Sequence, residues 1–229
     1  GTVCIDYVNT TKTRSIVIIL DNSGSPTEEG WKTQMKFMKK IFDSMKNIRV
    51  GVVVIEGHSR VQFPMSWYNE TKSEIEHFVK TAEWEDKWTS IGVAIYKARI
   101  MLEVERTDEK IVVLISDGDS DQCLYDYTDT RKRPNGKMKT YVANCENWKR
   151  EAIKAHPQVR EAEELRKRSI RLIYVIANEK YYDEKRERRE RVLKMVASPD
   201  DIIRARHFTS LMEQNIFENL MKIIAVEQI

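Results

Sequence analysis

Residues 15–25, SIVIILDNSGS, constrain this chain more than any other stretch. Ile16 to Leu20 is a continuous β-branched and aliphatic run without period-2 alternation, which is how a strand covered on both faces of a parallel sheet is written. The run stops on a carboxylate. Asp21 therefore stands at the carboxyl end of a central strand, the edge where open α/β sheets bind their ligands. Asp21, Ser23 and Ser25 alternate along the chain and Gly24 permits a tight turn, so their oxygens can converge on one point. A carboxylate with neutral hydroxyls is a hard, oxygen-only set that suits Mg²⁺ or Mn²⁺ and disfavours zinc, which takes His or Cys. The same pentapeptide also reads as an Asx-turn leading into a helix N-cap, and alone it leaves both readings open.

The rest of the chain repeats the pattern of strand and helix. A helix is expected from Thr27, with Trp31, Met35, Met38, Ile41, Phe42 and Met45 on its core face. Residues 49–56, RVGVVVIE, form a second buried strand. Residues 60–64 read as a short edge strand ended by Pro64, and 71–83 as a surface helix. After the polar Trp84-Glu85-Asp86-Lys87, a helix over 90–104 buries Ile91, Ala94, Ile95, Ala98 and Leu102, with Thr89 at its head. A third buried strand, 111–115, again ends on acids, Ser116-Asp117-Gly118-Asp119. A helix over 158–168, a strand over 170–177, a charged helix over 183–196, a short strand near 206–208 and an amphipathic helix over 215–226 follow. Residues 120–157 show no apolar period and are too long for an ordinary connection, so they read as an insertion with its own task.

Strands alternating with helices at this spacing imply βαβ crossovers. The expected architecture is α/β: a doubly wound, mostly parallel sheet with helices on both faces. A single domain spans 1–229, with 1–14 as an extended lead-in and 120–157 inserted. The 229 residues with 41% hydrophobic content suffice for one full core. Charged residues make up 33%, yet the formal net charge is only +3, which gives no general argument for nucleic acid. No apolar run approaches the ~20 residues that span a bilayer, and residues 1–14 lack a signal peptide's apolar core. The chain reads as a soluble segment without membrane insertion, cut from an ectodomain. His58, His77, His156 and His207 are scattered without ligand spacing.

Two rivals rest on the third strand. Asp117-Gly118-Asp119 echoes the Asp-x-Asp of haloacid-dehalogenase-type phosphotransferases, a Mg²⁺-dependent class, but that reading leaves Asp21, Ser23 and Ser25 unused. Asp117, Asp119 and Asp121 also fall at the first positions of an EF-hand loop. Gln122 and Thr128 stand where that loop needs Gly and Glu. A further reading concerns the insertion, where Arg131, Lys132, Arg133, Lys137 and Lys139, with Lys149, Arg150 and Lys154, could bind a sulphated glycosaminoglycan. A solvated basic loop is the plainer alternative.

Asp21-Asn22-Ser23-Gly24-Ser25, then Thr89 at a helix head, then Asp117-Gly118 after a strand, resembles the metal-ion-dependent adhesion site of von Willebrand factor A domains. The resemblance implies a non-enzymatic, extracellular adhesion domain. Asp21, Ser23 and Ser25 would form a first metal loop, Thr89 the second and Asp117 the third, and the ion would take an acidic group of a protein receptor in its open position. It also implies a switch in which Thr89 replaces Asp117 as a direct ligand while the last helix slides. Asp119 and Asp121 crowd the third loop, and Trp88 precedes Thr89 where relatives carry a glycine-containing loop. The cysteine before the first strand and the ending LMKIIAVEQ further resemble the thrombospondin-related anonymous protein adhesins of apicomplexan parasites, which implies a micronemal, single-pass protein serving gliding and host-cell invasion. That group carries a cysteine near the end of its last helix, where this chain has Ala225.

The cysteines are Cys4, Cys123 and Cys145. Cys123 and Cys145 bracket a polar segment, and a bridge between them would close a loop of roughly 20 residues, stabilising the chain by about 3 kcal/mol. Peptide mapping without reduction, on protein made in an oxidising compartment, should recover the two as one linked pair. Two free thiols would refute both the bridge and the extracellular reading.

Overall fold

In the computed structural model, which describes residues 12–87, 89–118, 128–132, 138–142, 157–177 and 184–225, the apolar run at 15–20 is the centre of the sheet. It lies in β1 (Arg14–Asp21), with β2 (Ile48–Ile55) on one side and β4 (Glu109–Ser116) on the other, both parallel to it. β3 (Arg60–Trp67), β7 (Arg171–Ala177) and β8 (Ile202–Ala205) complete a six-stranded sheet in the order β3-β2-β1-β4-β7-β8, in which only β3 runs antiparallel. Strand order reverses between β1 and β4, because the chain first adds β2 on one side and then crosses to the other. That reversal opens a crevice at the carboxyl ends of β1 and β4.

The missing alternation in β1 has a direct cause. Ile16, Ile18 and Leu20 enter one core with α1 (Thr27–Asp43), α2 (Tyr68–Thr81) and α6 (Gln214–Ala225). Val17 and Ile19 enter the other, with α3 (Ile91–Glu103), α4 (Pro157–Lys167) and α5 (Glu184–Val196). Both faces being covered, every position is apolar. The expected core faces of α1 and α3 are buried as read, and Phe37 and Gln34 join the first of them.

The sequence reading and the structure part in four places. β3 runs on to Trp67, because Pro64 lies on the sheet's edge between the rungs Phe63↔Val52 and Ser66↔Val50, where the register shifts and no ladder donor is needed. α2 starts at Tyr68, straight from the strand, as the Tyr68 hydroxyl donates to Asp43 Oδ1 at 2.7 Å and its ring packs on Phe42. The last strand is Ile202–Ala205, where Ile203 and Ala205 turn inward, whereas Phe208 belongs to a 3-10 turn, Phe208–Ser210. Within the 120–157 insertion, β5 (Thr128–Lys132) and β6 (Met138–Val142) pair antiparallel, with Arg131 opposite Lys139.

One contact fixes how β1 ends. Its pairing with β4 stops at Ile19↔Leu114, which leaves the Asp21 peptide facing β4 without a rung. Gln34 of α1 takes that place: the Asp21 N–H donates to Gln34 Oε1 and Gln34 Nε2 donates to the Asp21 carbonyl, each at 2.8 Å. Gln34 and Asp21 are both fully buried. Gln34→Leu should therefore cost about 3 kcal/mol, since both polar groups of a buried peptide lose their partners. Chemical denaturation should show the loss as a lowered midpoint with an unchanged slope.

Candidate metal site at the β1–β4 crevice

The first loop is built on an Asx-turn. The Ser23 N–H donates to Asp21 Oδ1 at 2.9 Å, so the turn reading of DNSGS is correct as far as it goes. It uses one carboxylate oxygen only. Asp21 Oδ2 and Ser23 Oγ are buried without a hydrogen-bond partner among the described residues, an arrangement that is costly unless a ligand completes it. Thr27 at the head of α1 adopts φ 64°, and Ser25 is half-buried between this turn and the helix.

The second loop is laced to the first by its polar stretch. The Trp84 indole N–H donates to the Ser23 carbonyl at 2.8 Å, Glu85 N–H to Asn22 Oδ1 at 3.0 Å and Lys87 N–H to the Asn22 carbonyl at 3.0 Å. Ser23 and Lys87 form a parallel β-bridge, so the same two-residue step leads from Ser23 to Ser25 and from Lys87 to Thr89. Thr89 is buried. The neighbouring Ser90 hydroxyl donates to the Glu56 carbonyl at 2.5 Å and lies 2.7 Å from Ser59 Oγ, tying the head of α3 to the end of β2. Gly24 is obligatory here: a Cβ on it would stand 2.5 Å from Asp86 Oδ1.

The third loop leaves β4. Asp117 is buried one residue past Ser116, and Gly118 turns at φ 86° with its N–H donating to Ser116 Oγ at 3.2 Å. β4 lies beside β1, so the Asp117 carboxylate comes close to that of Asp21. Burial first, and the Asp117 charge second, push the Asp21 carboxyl up from 3.8 to about 7, against the opposing pull of the Ser23 N–H and the Ser23 and Ser116 hydroxyls.

The structure thus brings Asp21, Ser23, Ser25, Thr89 and Asp117 to one crevice, from three loops. Two buried carboxylates, hydroxyl oxygens and no imidazole or thiolate fit a hard divalent cation. Among the described residues no group of three or more His, Cys, Asp or Glu side chains forms a metal cluster, so any ion held here leans on hydroxyls. Sequence reasoning missed the framing residues Asn22, Gln34 and Trp84, whose partners lie far off in the chain. It also missed Arg189, which donates to the Asp117 carbonyl. Trp88, Asp119, Asp121, Cys4, Cys123, Cys145, Arg133 and Lys137 lie outside the described residues. Arg131, Lys132 and Lys139 lie on the β5–β6 hairpin, of which the backbone is described. No described helix is long and apolar enough to cross a membrane.

Comparison with solved structures finds this architecture in proximal thread matrix protein 1 of the mussel byssus, at 18% identity and a TM-score of 0.66, over 96% of this chain and 47% of that one. A form of the mussel protein with a zinc-occupied MIDAS motif aligns at 16% identity and a TM-score of 0.64, over 93% of this chain and 46% of that one. The pilus adhesin SpaC of Lactobacillus rhamnosus GG aligns at 12% identity and a TM-score of 0.62, over 95% of this chain and 31% of its own. The present chain therefore spans less than half the length of these proteins, and at such identities the likeness is one of fold. No curated protein sequence matches it. The von Willebrand factor type A domain profile matches residues 15–219, nearly the whole described sheet, and the chain belongs to that family.

Proposed function

We propose that this domain is an extracellular adhesion module that holds a divalent cation, Mg²⁺ or Mn²⁺, through Asp21, Ser23, Ser25, Thr89 and Asp117, and binds an acidic group of a protein partner through it. The observation that carries the reading is the pair of buried, unsatisfied oxygens, Asp21 Oδ2 and Ser23 Oγ, aimed into the crevice where Asp117 also ends. Von Willebrand factor type A domains are generally non-enzymatic interaction modules, which favours this reading over phosphoryl transfer. The zinc-occupied motif of the mussel protein supports a divalent ion, and the oxygen-only donors here favour a harder one.

The bound ion supplies a Lewis-acid position for an anion. The chain supplies its shape and charge. Asp21 and Asp117 are the only carboxylates in the donor set, so the ion keeps an appetite for a further negative ligand. Asn22, Trp84 and Gln34 hold the loops in place before it binds, which limits the ordering entropy of binding. By family resemblance, exchange of Asp117 for Thr89 as a direct ligand would accompany movement of α6, whose Ile216, Leu220 and Ile224 pack on the core. The narrower resemblance to apicomplexan thrombospondin-related adhesins places the module on a parasite surface, in gliding and host-cell invasion.

A second surface is favoured by one observation. The β5–β6 register sets Arg131 opposite Lys139, with Lys132 next to them, and like charges facing across an antiparallel pair are destabilising. A sulphated glycosaminoglycan would relieve that repulsion. Replacing Arg131, Lys132 and Lys139 by Gln should lower the salt needed to elute the domain from heparin, and should leave Mg²⁺ binding unchanged. Unchanged elution would remove this surface from consideration.

Asp21 gives the primary reading a test with a defined sign. In the metal-free fold its carboxyl keeps a proton up to about pH 7, whereas the unfolded chain releases it near 3.8. Between those values the folded state binds more protons, so this group's contribution to stability falls as pH rises through the window. A cation takes the proton's place, and its stabilising effect must grow over the same range. Thermal melts should show millimolar Mg²⁺ raising Tm more at about pH 8 than at about pH 5. Asp21→Asn should melt higher than the metal-free parent at the upper pH and gain nothing from Mg²⁺. Equal Mg²⁺ stabilisation of parent and variant would refute the site.

A further inference from the structure

Arg189 brings a cation from α5 to the third metal loop. Its Nη1 donates to the Asp117 carbonyl at 3.4 Å, and its side chain is largely covered. Its stem packs on the turn itself. A Cβ placed on Gly118 would lie 3.7 Å from Arg189 Cδ, 3.3 Å from Ile176 Cδ1 and 3.8 Å from the Tyr174 hydroxyl. From the other flank Gln158 of α4 donates to the Gly118 carbonyl at 3.5 Å and accepts from the Tyr174 hydroxyl at the same distance. The guanidinium is therefore held by packing and by a main-chain carbonyl, at the point where the loop delivers Asp117 to the crevice.

Its neighbours on α5 behave differently. Glu190 pairs with Arg204, and Arg191 with Glu187, both at the surface. The alternating charges of 185–191 look like one exposed helix face in sequence, yet the Arg189 guanidinium turns inward.

The charge balance gives this a consequence. Asp21 and Asp117 together carry two negative charges, which a divalent ion neutralises. A fixed guanidinium beside Asp117 makes the loaded crevice net positive. A like charge nearby disfavours the incoming cation, and in a largely buried setting it is poorly screened. The same charge attracts the partner's anion. We propose that Arg189 sets the specificity of the loaded site for carboxylate partners, weakening the hold on the cation while strengthening the hold of the loaded crevice on an acidic group. This rests on the metal-dependent reading above, and Arg189 acts as a positioning and charge-setting residue rather than as a ligand.

Three variants separate charge from packing: Arg189→Met keeps the stem, Arg189→Gln keeps a donor for the Asp117 carbonyl, and Arg189→Lys keeps the charge. Mn²⁺ affinity is measured by calorimetry, and acetate, as the simplest carboxylate, is titrated onto the Mn²⁺-loaded domain and followed by water proton relaxation. Met and Gln should each bind Mn²⁺ tighter and acetate weaker, by a factor on the order of three to ten. Lys should stay near the parent in both. A merely structural arginine would lower both affinities together, and that result, or no change in either, would overturn the proposal, as would Lys behaving like Met. If the Met variant fails to fold, the Gln variant decides by the same opposite shifts. A parent domain that binds no Mn²⁺ would refute the metal reading itself, and is distinguished from failure of the Arg189 proposal because it appears before any substitution.

Discussion

The Asp21 carboxylate is buried beside that of Asp117, and most of the architecture around the crevice answers to that placement. Two negative charges in a low-dielectric edge repel, and each resists losing water. A fold can tolerate this only if the surrounding frame is rigid enough to hold the groups in place when the ligand that would neutralise them is gone. The frame here is made of neutral amides and main-chain groups. Gln34 closes the end of β1, Asn22 accepts from the second loop through both its carbonyls, and Ser90 fastens the head of α3 to β2. None of these adds charge, so none competes with a cation for the carboxylates.

The position of the pair follows from topology. Parallel strands end together on one side of the sheet, and the reversal of strand order between β1 and β4 leaves no crossover covering the gap between their ends. Loops leaving β1 and β4 therefore face each other, and the connection after α2 is drawn in by its hydrogen bonds to Asn22 and Ser23. Three segments far apart in the chain can then each contribute one or two oxygens. A site assembled this way is sensitive to small shifts of any one loop, which is the physical basis on which metal coordination and α6 movement could be linked.

Charge is distributed unevenly over the domain. The sheet's buried ends are held by ion pairs such as Arg14 with Glu109 and Arg171 with Asp201, which satisfy arginines at the amino-terminal edge and beside α6. At the carboxyl-terminal edge the pattern is inverted, with carboxylates and hydroxyls set inside and Arg189 at their margin. The two ends of one sheet thus serve different purposes, one closed by paired charges and one poised for a ligand.

What the sequence by itself determined is set by short-range pattern. The unbroken Ile16–Leu20 run, the helical spacing of Trp31 to Met45 and the acids that end the first and third buried strands all depend on neighbours within a few residues, so fold class and the members of the candidate site were legible. What only the tertiary structure decided depends on partners that periodicity does not encode. Gln34 looks like an ordinary polar helix residue until β1 runs short of a rung beside it. Trp84 looks like part of a loop until its indole meets Ser23, and Arg189 like one more charge on an exposed helix. Pro64 seemed to end a strand because its ring removes a donor, and only the edge position with its register shift makes that donor unnecessary. The last strand was misplaced for a similar reason: four residues with a single alternation carry too little local signal, and pairing with β7 supplies the rest.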